Sequence, residues 1–320
     1  MRKYQPVDLA KLKTYSVADR AHKADTDRAA RLTPPGASAA ALLDSLPDYL
    51  GAAALRNIVA AIVAARRADR PVAVALGAHV VKVGCSPIIV DLIRRGVITA
   101  VSGNGALAIH DVELATIGAT SEEVADTIRD GSFGMVRETM AFFDEAAGRA
   151  KREGLGLGAA AGALLIERNA PHRAMSILAA AREAGIPATI HVALGTDTVH
   201  MSGGLAAADL GEASLLDFRL LCDVVSDLGA TAAGGAGGVW LNVGSAVVLP
   251  EVFLKAVSVA RNLGANLDAM TTANFDMIRH YRPHQNVVTR PVSKGRGFEV
   301  VGHHEILLPL MRQAIIETLG

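Results

Sequence analysis

The residues with the most chemical capacity sit in one run, Ser102-Gly103-Asn104-Gly105-Ala106-Leu107-Ala108-Ile109-His110-Asp111-Val112-Glu113. A histidine can move protons near neutral pH, and a carboxylate can hold an ammonium group or ribose hydroxyls. Gly103, Gly105 and Ala108 fit G-x-G-x-x-[GA] directly after an apolar run at 97–101. There, bare backbone N–H groups and a helix start can accept phosphate oxygens. Two readings stand: a dinucleotide turn, or a tight βα turn that needs glycine for its backbone angles. No second strand ends in an acid about twenty positions later, as a full dinucleotide fingerprint requires. Asp111 and Glu113 have a second role open to them, as acids favoured by the macrodipole near a helix N-terminus.

Other polar residues gather just after expected strands. They are His79, Ser102, Asn104, Asp197, His200, Asn242, Ser245, Thr271, Thr272, Asn274, Asp276, His303, His304 and Glu305. In a parallel sheet such positions converge on one edge, so a crevice for cofactor and substrate is expected there. Asp197 and His200 suit a cation, a proton relay or a helix cap. His280, His284, His303 and His304 suggest a metal cluster, but Pro283 argues against a helix across His280-x-x-x-His284 and no acid completes a zinc pattern. No metal is expected. Cys85, just before a helix start, is either an activated thiol or an inert buried one. A nucleophile elbow and a phosphate-binding P-loop are both absent from the sequence.

The elements that must position these groups alternate along the chain. Strands are expected at 72–76, 97–101, 188–194, 239–243, 266–270 and 298–301. Helices are expected at 88–95, 121–151 (with Met135, Met140, Phe142 and Phe143 on a buried side), 163–168, 172–184, 215–228, 251–263 and 305–319. Residues 154–162 read as a glycine-rich connection and 229–238 as a small-residue turn. This pattern predicts an α/β fold with a doubly wound, mostly parallel Rossmann-like sheet of about six or more strands and helices on both faces. Residues 1–36 read as an arm or a loosely packed first helix, of the kind that often crosses to a neighbouring subunit, and 37–320 as one domain.

Composition narrows the functions. Among 320 residues, 32 basic and 32 acidic side chains cancel, which asks for neither nucleic acid nor an anionic membrane. Aromatics are 4% of the chain, so a base-stacking surface is not expected. Two cysteines make no disulfide framework, the amino terminus lacks a secretory core, and the apolar runs are shorter than a membrane span. The expected compartment is the cytoplasm.

These motifs resemble the deoxyhypusine synthase-like superfamily, and Val97 to Glu113 also resembles the NAD-dependent ornithine cyclodeaminase domain. The resemblance rests on the Ser102 to Gly105 turn, the His110-Asp111-Val112-Glu113 run, an Asp197 loop before Gly203-Gly204, Gly244-Ser245, Thr271-Thr272-Ala273, and Gly302 to Glu305 before Leu308-Pro309-Leu310. It implies NAD at Gly103, Asn104, Gly105, Gly244, Thr272 and Ala273, with Ser102 and Ser245 completing the two turns. It implies a homodimer or homotetramer as well. The family's tryptophan-glycine-lysine motif is missing: Arg290-Pro291-Val292-Ser293-Lys294-Gly295 stands there, and Lys294 reads as a solvated loop lysine.

The resulting expectation is an NAD-dependent, redox-neutral transferase or lyase acting on the C–N bond of a small amine or amino acid. Asp111, Glu113, Asp197, Asp276 and Glu305 hold the substrate, and His110 or His304 moves protons. The rival expectation is a dinucleotide-binding sensor or scaffold without catalysis.

Overall fold

The structure is a computed structural model and describes residues 3–229 and 235–320. Residues 230–234, inside the turn expected at 229–238, and the first two residues of the arm lie outside the described residues. Six short runs form strands, β1 (Val72–Leu76) and β4 (Val239–Val243) being mostly apolar and β2 (Ala100–Asn104), β3 (Ala188–His191), β5 (Thr271–Asp276) and β6 (Gly297–Val301) carrying polar residues or glycine. All neighbours pair in parallel, in the order β3-β2-β1-β4-β5-β6.

Helices α1 (Ala39–Ser45) and α2 (Leu50–Arg67) precede β1, and α3 (Ala78–Lys82) and α4 (Ser86–Arg94) lead to β2. Between β2 and β3 come α5 (Gly105–Ile117), α6 (Val124–Thr127), α7 (Arg137–Glu153), α8 (Leu157–Glu167) and α9 (Ile177–Glu183). Helix α10 (Ala207–Ser226) joins β3 to β4, and α11 (Leu249–Asn262) joins β4 to β5. One turn, α12 (Tyr281–Pro283), runs into a π-helix (His284–Thr289) before β6, and α13 (His304–Leu319) closes the chain.

The sheet is covered on both faces, as expected. Val74, Leu76, Leu241 and Phe275 pack against α2, α4 and α13. On the opposite face Ala73, Ala75 and Ala100 leave room for α10 and α11, and Trp240 stacks on Phe253 with ring centroids 4.3 Å apart. A third cluster joins α5, α7, α8 and α9 beside β3. No helix among the described residues is long and apolar enough to cross a membrane.

Several element boundaries differ from expectation for local reasons. Residues 154–162 are largely helical, within α8, because Gly158 and Gly162 are packing glycines. A Cβ at Gly158 would lie 2.3 Å from the Ala188 carbonyl oxygen, and one at Gly162 would lie 2.5 Å from that of Leu178. The helix expected at 121–151 is broken: α6 is a single turn, α7 starts only at Arg137, and Met135 is exposed. Asn266 closes an Asx turn through Asp268 N, so the fifth strand begins at Thr271 instead of running over 266–270. Pro283 is tolerated in the first turn of α12, where its missing N–H is not needed.

The arm holds three 3-10 turns, Leu9–Lys11, Val17–Asp19 and Thr26–Arg28, and exposes Tyr4, Leu12 and Leu32. It is tied to the body by Arg31 N donating to the Ser45 carbonyl and by the Tyr49 hydroxyl beside Asp25.

Strand β3 lies at a sheet edge, and α10 satisfies its outward backbone groups with side chains. Ile190 N donates to Asp217 Oδ2 at 2.8 Å and Val192 N donates to Ser214 Oγ at 3.0 Å. The Ser214 hydroxyl in turn donates to the Ile190 carbonyl. Asp217 also accepts from Gly158 N at the start of α8. Burial raises its carboxyl to about 7, against the pull of those backbone donors.

A carboxyl whose folded-state pKa is raised stabilises the fold in its protonated form. That stabilisation is complete below the unfolded value of 3.8 and is lost as pH rises towards about 7. Asp217→Asn is therefore expected to flatten the fall in urea midpoint between pH 4 and pH 7 that the native chain shows relative to it. Asp217→Ala strands two backbone donors and is expected to cost about 2–5 kcal/mol by denaturant titration.

Candidate functional site at the carboxyl edge

Connections leave β1 towards β2 on one side and return to β4 on the other, so the crevice of this sheet lies over the carboxyl ends of β1 and β4. The two loops touch. Gly77 N donates to the Val243 carbonyl, and a Cβ at Gly77 would lie 1.9 Å from the Gly244 carbonyl oxygen. Gly244 has φ +67° and stands over the His304 ring, which a Cβ would approach to 3.2 Å. The fully buried His304 donates Nε2–H to the Phe275 carbonyl at 3.2 Å, and its Nδ1 has no hydrogen-bond partner among the described residues. Its ring meets His79 edge to face at 5.5 Å between centroids. Burial, then the neighbouring His304, lower the His79 pKa.

Asp276, the last residue of β5, is buried at this edge, accepts from Met277 N, and has His280 Nε2 4.0 Å away. Glu305, in the first turn of α13, is half-exposed beside His303. Ser245 is turned inward, its hydroxyl donating to the Val247 carbonyl.

At the end of β2 the Asn104 side chain caps α5 by accepting from Leu107 N. A Cβ at Gly105 would lie 1.9 Å from Asp197 Oδ2, so this glycine lets an acid stand against the start of the helix. Burial raises the Asp197 carboxyl, with His200 opposing. Gly103 permits the close approach of Leu107.

From Asp197 and Lys82 a cavity of about 650 Å³ extends along the outer face of α5, closed by the 118–136 loop and α7. His110 and Glu113 line it. His110 Nδ1 is 2.6 Å from the Thr120 hydroxyl, Thr120 donates to Glu113 Oε2 at 2.5 Å, and Thr139 donates to Glu113 Oε1 at 3.0 Å. Burial lowers the His110 pKa, followed by Glu113 raising it and Lys82 lowering it.

Other residues singled out in the sequence lie elsewhere. Asp111 points away from the cavity and is wholly buried. It accepts from the Ser176 hydroxyl, Ile177 N and Leu178 N, which makes it the anchor of α9. Burial raises its carboxyl to about 6. Ser102 is inside β2, hydrogen-bonded to Thr189. Thr272 and Ala273 sit near the start of β5, away from the carboxyl edge, with the Thr272 hydroxyl donating to the Val287 carbonyl. Lys294 is an exposed turn residue just before β6, so it too lies towards the amino edge.

The Cys85 thiol is buried and pushed up in pKa by that burial, which makes it inert. His284 pairs with Glu299 and His303 with Glu305, so the four histidines do not converge. No group of three or more His, Cys, Asp or Glu suited to a metal occurs among the described residues. The sequence reading missed Lys82, Thr120 and Thr139; only Lys82 left a signal, by following the β1 turn.

This strand order and crevice define a Rossmann-like α/β fold. Neither a protein-family model nor a curated protein matches the sequence. Among solved structures, unliganded AgrE has a TM-score of 0.54 at 15% identity, covering 82% of this chain and 32% of that one. AgrE in complex with ornithine and NAD+ gives 0.51 at 14%. A putative LOR/SDH protein from Methanococcus maripaludis S2 gives 0.52 at 14%, covering 90% of this chain and 74% of the other. A putative deoxyhypusine synthase from Entamoeba histolytica gives 0.50 at 10%, covering 89% and 95%. At these identities the likeness is one of fold, shared with deoxyhypusine synthase-like and LOR/SDH-like proteins. The chain spans only 34% of the cyanobacterial arginine dihydrolase ArgZ.

Because the Gly77 Cα rests on the Gly244 carbonyl, Gly77→Ala is expected to force the two loops apart. A loss of about 1–3 kcal/mol, read as a lower thermal midpoint, is the expected outcome.

Proposed function

We propose that the chain is an NAD-dependent, redox-neutral enzyme acting on the C–N bond of a small amine or amino acid, as a transferase or lyase. The observation that carries this reading is the β1/β4 crevice, floored by Gly77, which admits no Cβ, by Gly244 at φ +67°, and by an inward-facing His304 acceptor. Towards a dinucleotide the supporting features are the buried His304 Nδ1, without a hydrogen-bond partner among the described residues, and the polar turns at Gly103-Asn104-Gly105 and Gly244-Ser245; the glycines at 77 and 105 serve contacts within the chain, to the Gly244 carbonyl and to Asp197. The AgrE fold, seen with ornithine and NAD+, supports the choice of ligands.

When bound, NAD supplies a hydride acceptor for the carbon bearing nitrogen and returns the hydride later. The chain's own residues do the rest. Asp276 and Glu305 at the far end of the sheet, or Asp197 against the start of α5, hold the ammonium group, Glu113 supports a proton relay, and a histidine, His110 or His304, moves the proton. Asp111 takes no part, since α9 occupies both of its oxygens.

The protein works in the cytoplasm as a homodimer or homotetramer. Val247, Ile278, Tyr281, Val301 and Ile306 are exposed around the carboxyl edge, at 50–71%, and a second copy would cover them. A non-catalytic dinucleotide sensor is the second reading, favoured by the position of Lys294 away from the crevice.

Calorimetric titration of the tag-free chain with NAD and NADP tests the proposal. Binding of at least one is expected, and its loss is expected in an Asn104→Asp, Gly105→Val double variant. No binding by the native chain overturns the enzyme and the sensor readings together. Binding without hydride exchange into any amine tried leaves the sensor.

A further inference from the structure

The cavity along α5 contains a hydrogen-bonded chain whose direction is fixed by elimination. Thr120 has one hydroxyl proton and gives it to Glu113 Oε2, at 2.5 Å, so the contact of 2.6 Å to His110 Nδ1 has the histidine as donor. Thr139 fills the other carboxylate oxygen at 3.0 Å. The ring is therefore held as the Nδ1–H tautomer. Among the described residues Nε2 has no hydrogen-bond partner, and in the neutral ring it is a lone pair. The geometry is that of a base held by an orienting group, which is in turn held by an acid.

The surroundings select what would meet that lone pair. Ile109, Val112, Phe133 and Phe142 give the cavity apolar walls. Its charged lining comprises four carboxylates, Glu113, Glu122, Glu138 and Asp197, against two cations, Lys82 and Arg168. The excess is acidic. An apolar stem ending in a cationic proton donor satisfies both features, and the volume of about 650 Å³ is ample for an aliphatic chain.

We propose that this cavity binds an aliphatic primary amine, that His110 Nε2 is the base taking a proton from its ammonium group, and that Thr120 is the positioning residue linking His110 to Glu113. The step is R–CH2–NH3+ plus neutral imidazole giving R–CH2–NH2 plus imidazolium. One N–H bond breaks, the Nε2–H bond forms, and no electrons are exchanged. Glu113 steadies the imidazolium through Thr120. The neutral amine so formed is the species that can lose hydride, so the inference rests on the amine-enzyme reading and deepens it by assigning the base to His110 instead of His304.

Nitrogen-15 NMR of the full chain labelled at histidine tests this without any dinucleotide, using n-butylamine as the probe. At pH 7.5 His110 is expected as the Nδ1–H tautomer, with an Nε2 resonance that moves on adding butylamine and stays put on adding butyrate. Thr120→Val is expected to abolish the tautomer preference and Thr120→Ser to restore it.

An Nε2–H tautomer in the native chain, or an Nε2 signal unmoved by saturating butylamine, overturns the proposal; this native measurement decides even if Thr120→Val does not fold. Failure of NAD to bind in calorimetry, with the butylamine response intact, ends the enzyme reading and leaves the amine site. The converse pattern ends the amine site alone.

Discussion

The constraint on which the structure depends is the contact between the loops that leave β1 and β4. Parallel strands on either side of β1 must be reached by crossovers of the same hand, so their helices fall on opposite faces and the chain divides above β1. At that division the Gly77 Cα meets the Gly244 carbonyl, with His304 packed beneath. Any side chain there would push the loops apart and open the floor of the crevice. The alanines at 73, 75 and 100 obey the same rule lower down, where they let α10 and α11 lie close to the sheet.

Around this floor the polar groups sort into two kinds. Asp111 and Asp217 are carboxylates used as anchors: each is buried and accepts from backbone N–H groups at the start of a neighbouring helix. His110, Glu113, Asp197, Asp276 and Glu305 instead line the cavity or the carboxyl edge. Neighbours in sequence can belong to different kinds. His110 and Asp111 are adjacent on α5 and so project about 100° apart around the helix, one to the cavity and one to α9.

The architecture was legible because apolar runs and turn residues recur with strand and helix lengths. β1 and β4 fall where apolar periodicity puts them. β5 did not, because Thr271-Thr272-Ala273-Asn274-Phe275-Asp276 hides polar side chains that pair inside the fold: Asn242 donates to Asn274, and Thr272 to the Val287 carbonyl. Hydropathy ranks such a segment below the Leu267 to Met270 stretch before it. Glycine misled at α8 for a related reason, since a residue that breaks exposed helices is also the one that lets two backbones touch. Of the candidate site, the turns after β1 and β4 were readable, whereas Ser102, Asn242, Thr271, Thr272 and Asn274, expected just past strand ends, lie within strands. Thr120 and Thr139 were not readable, because their role exists only once the 118–136 loop folds back over α5.

The side chains of Asp217 and Ser214 have a consequence beyond holding α10 in place. An open sheet margin is a template for recruiting foreign strands, and many proteins guard it with lysine, proline or a bulge. Here a helix does so from within, engaging the outward amides of Ile190 and Val192 and the Ile190 carbonyl. A seventh strand would find those atoms taken. This flank is thereby closed to fibril-like growth, and copies of the chain cannot join by extending the sheet past β3.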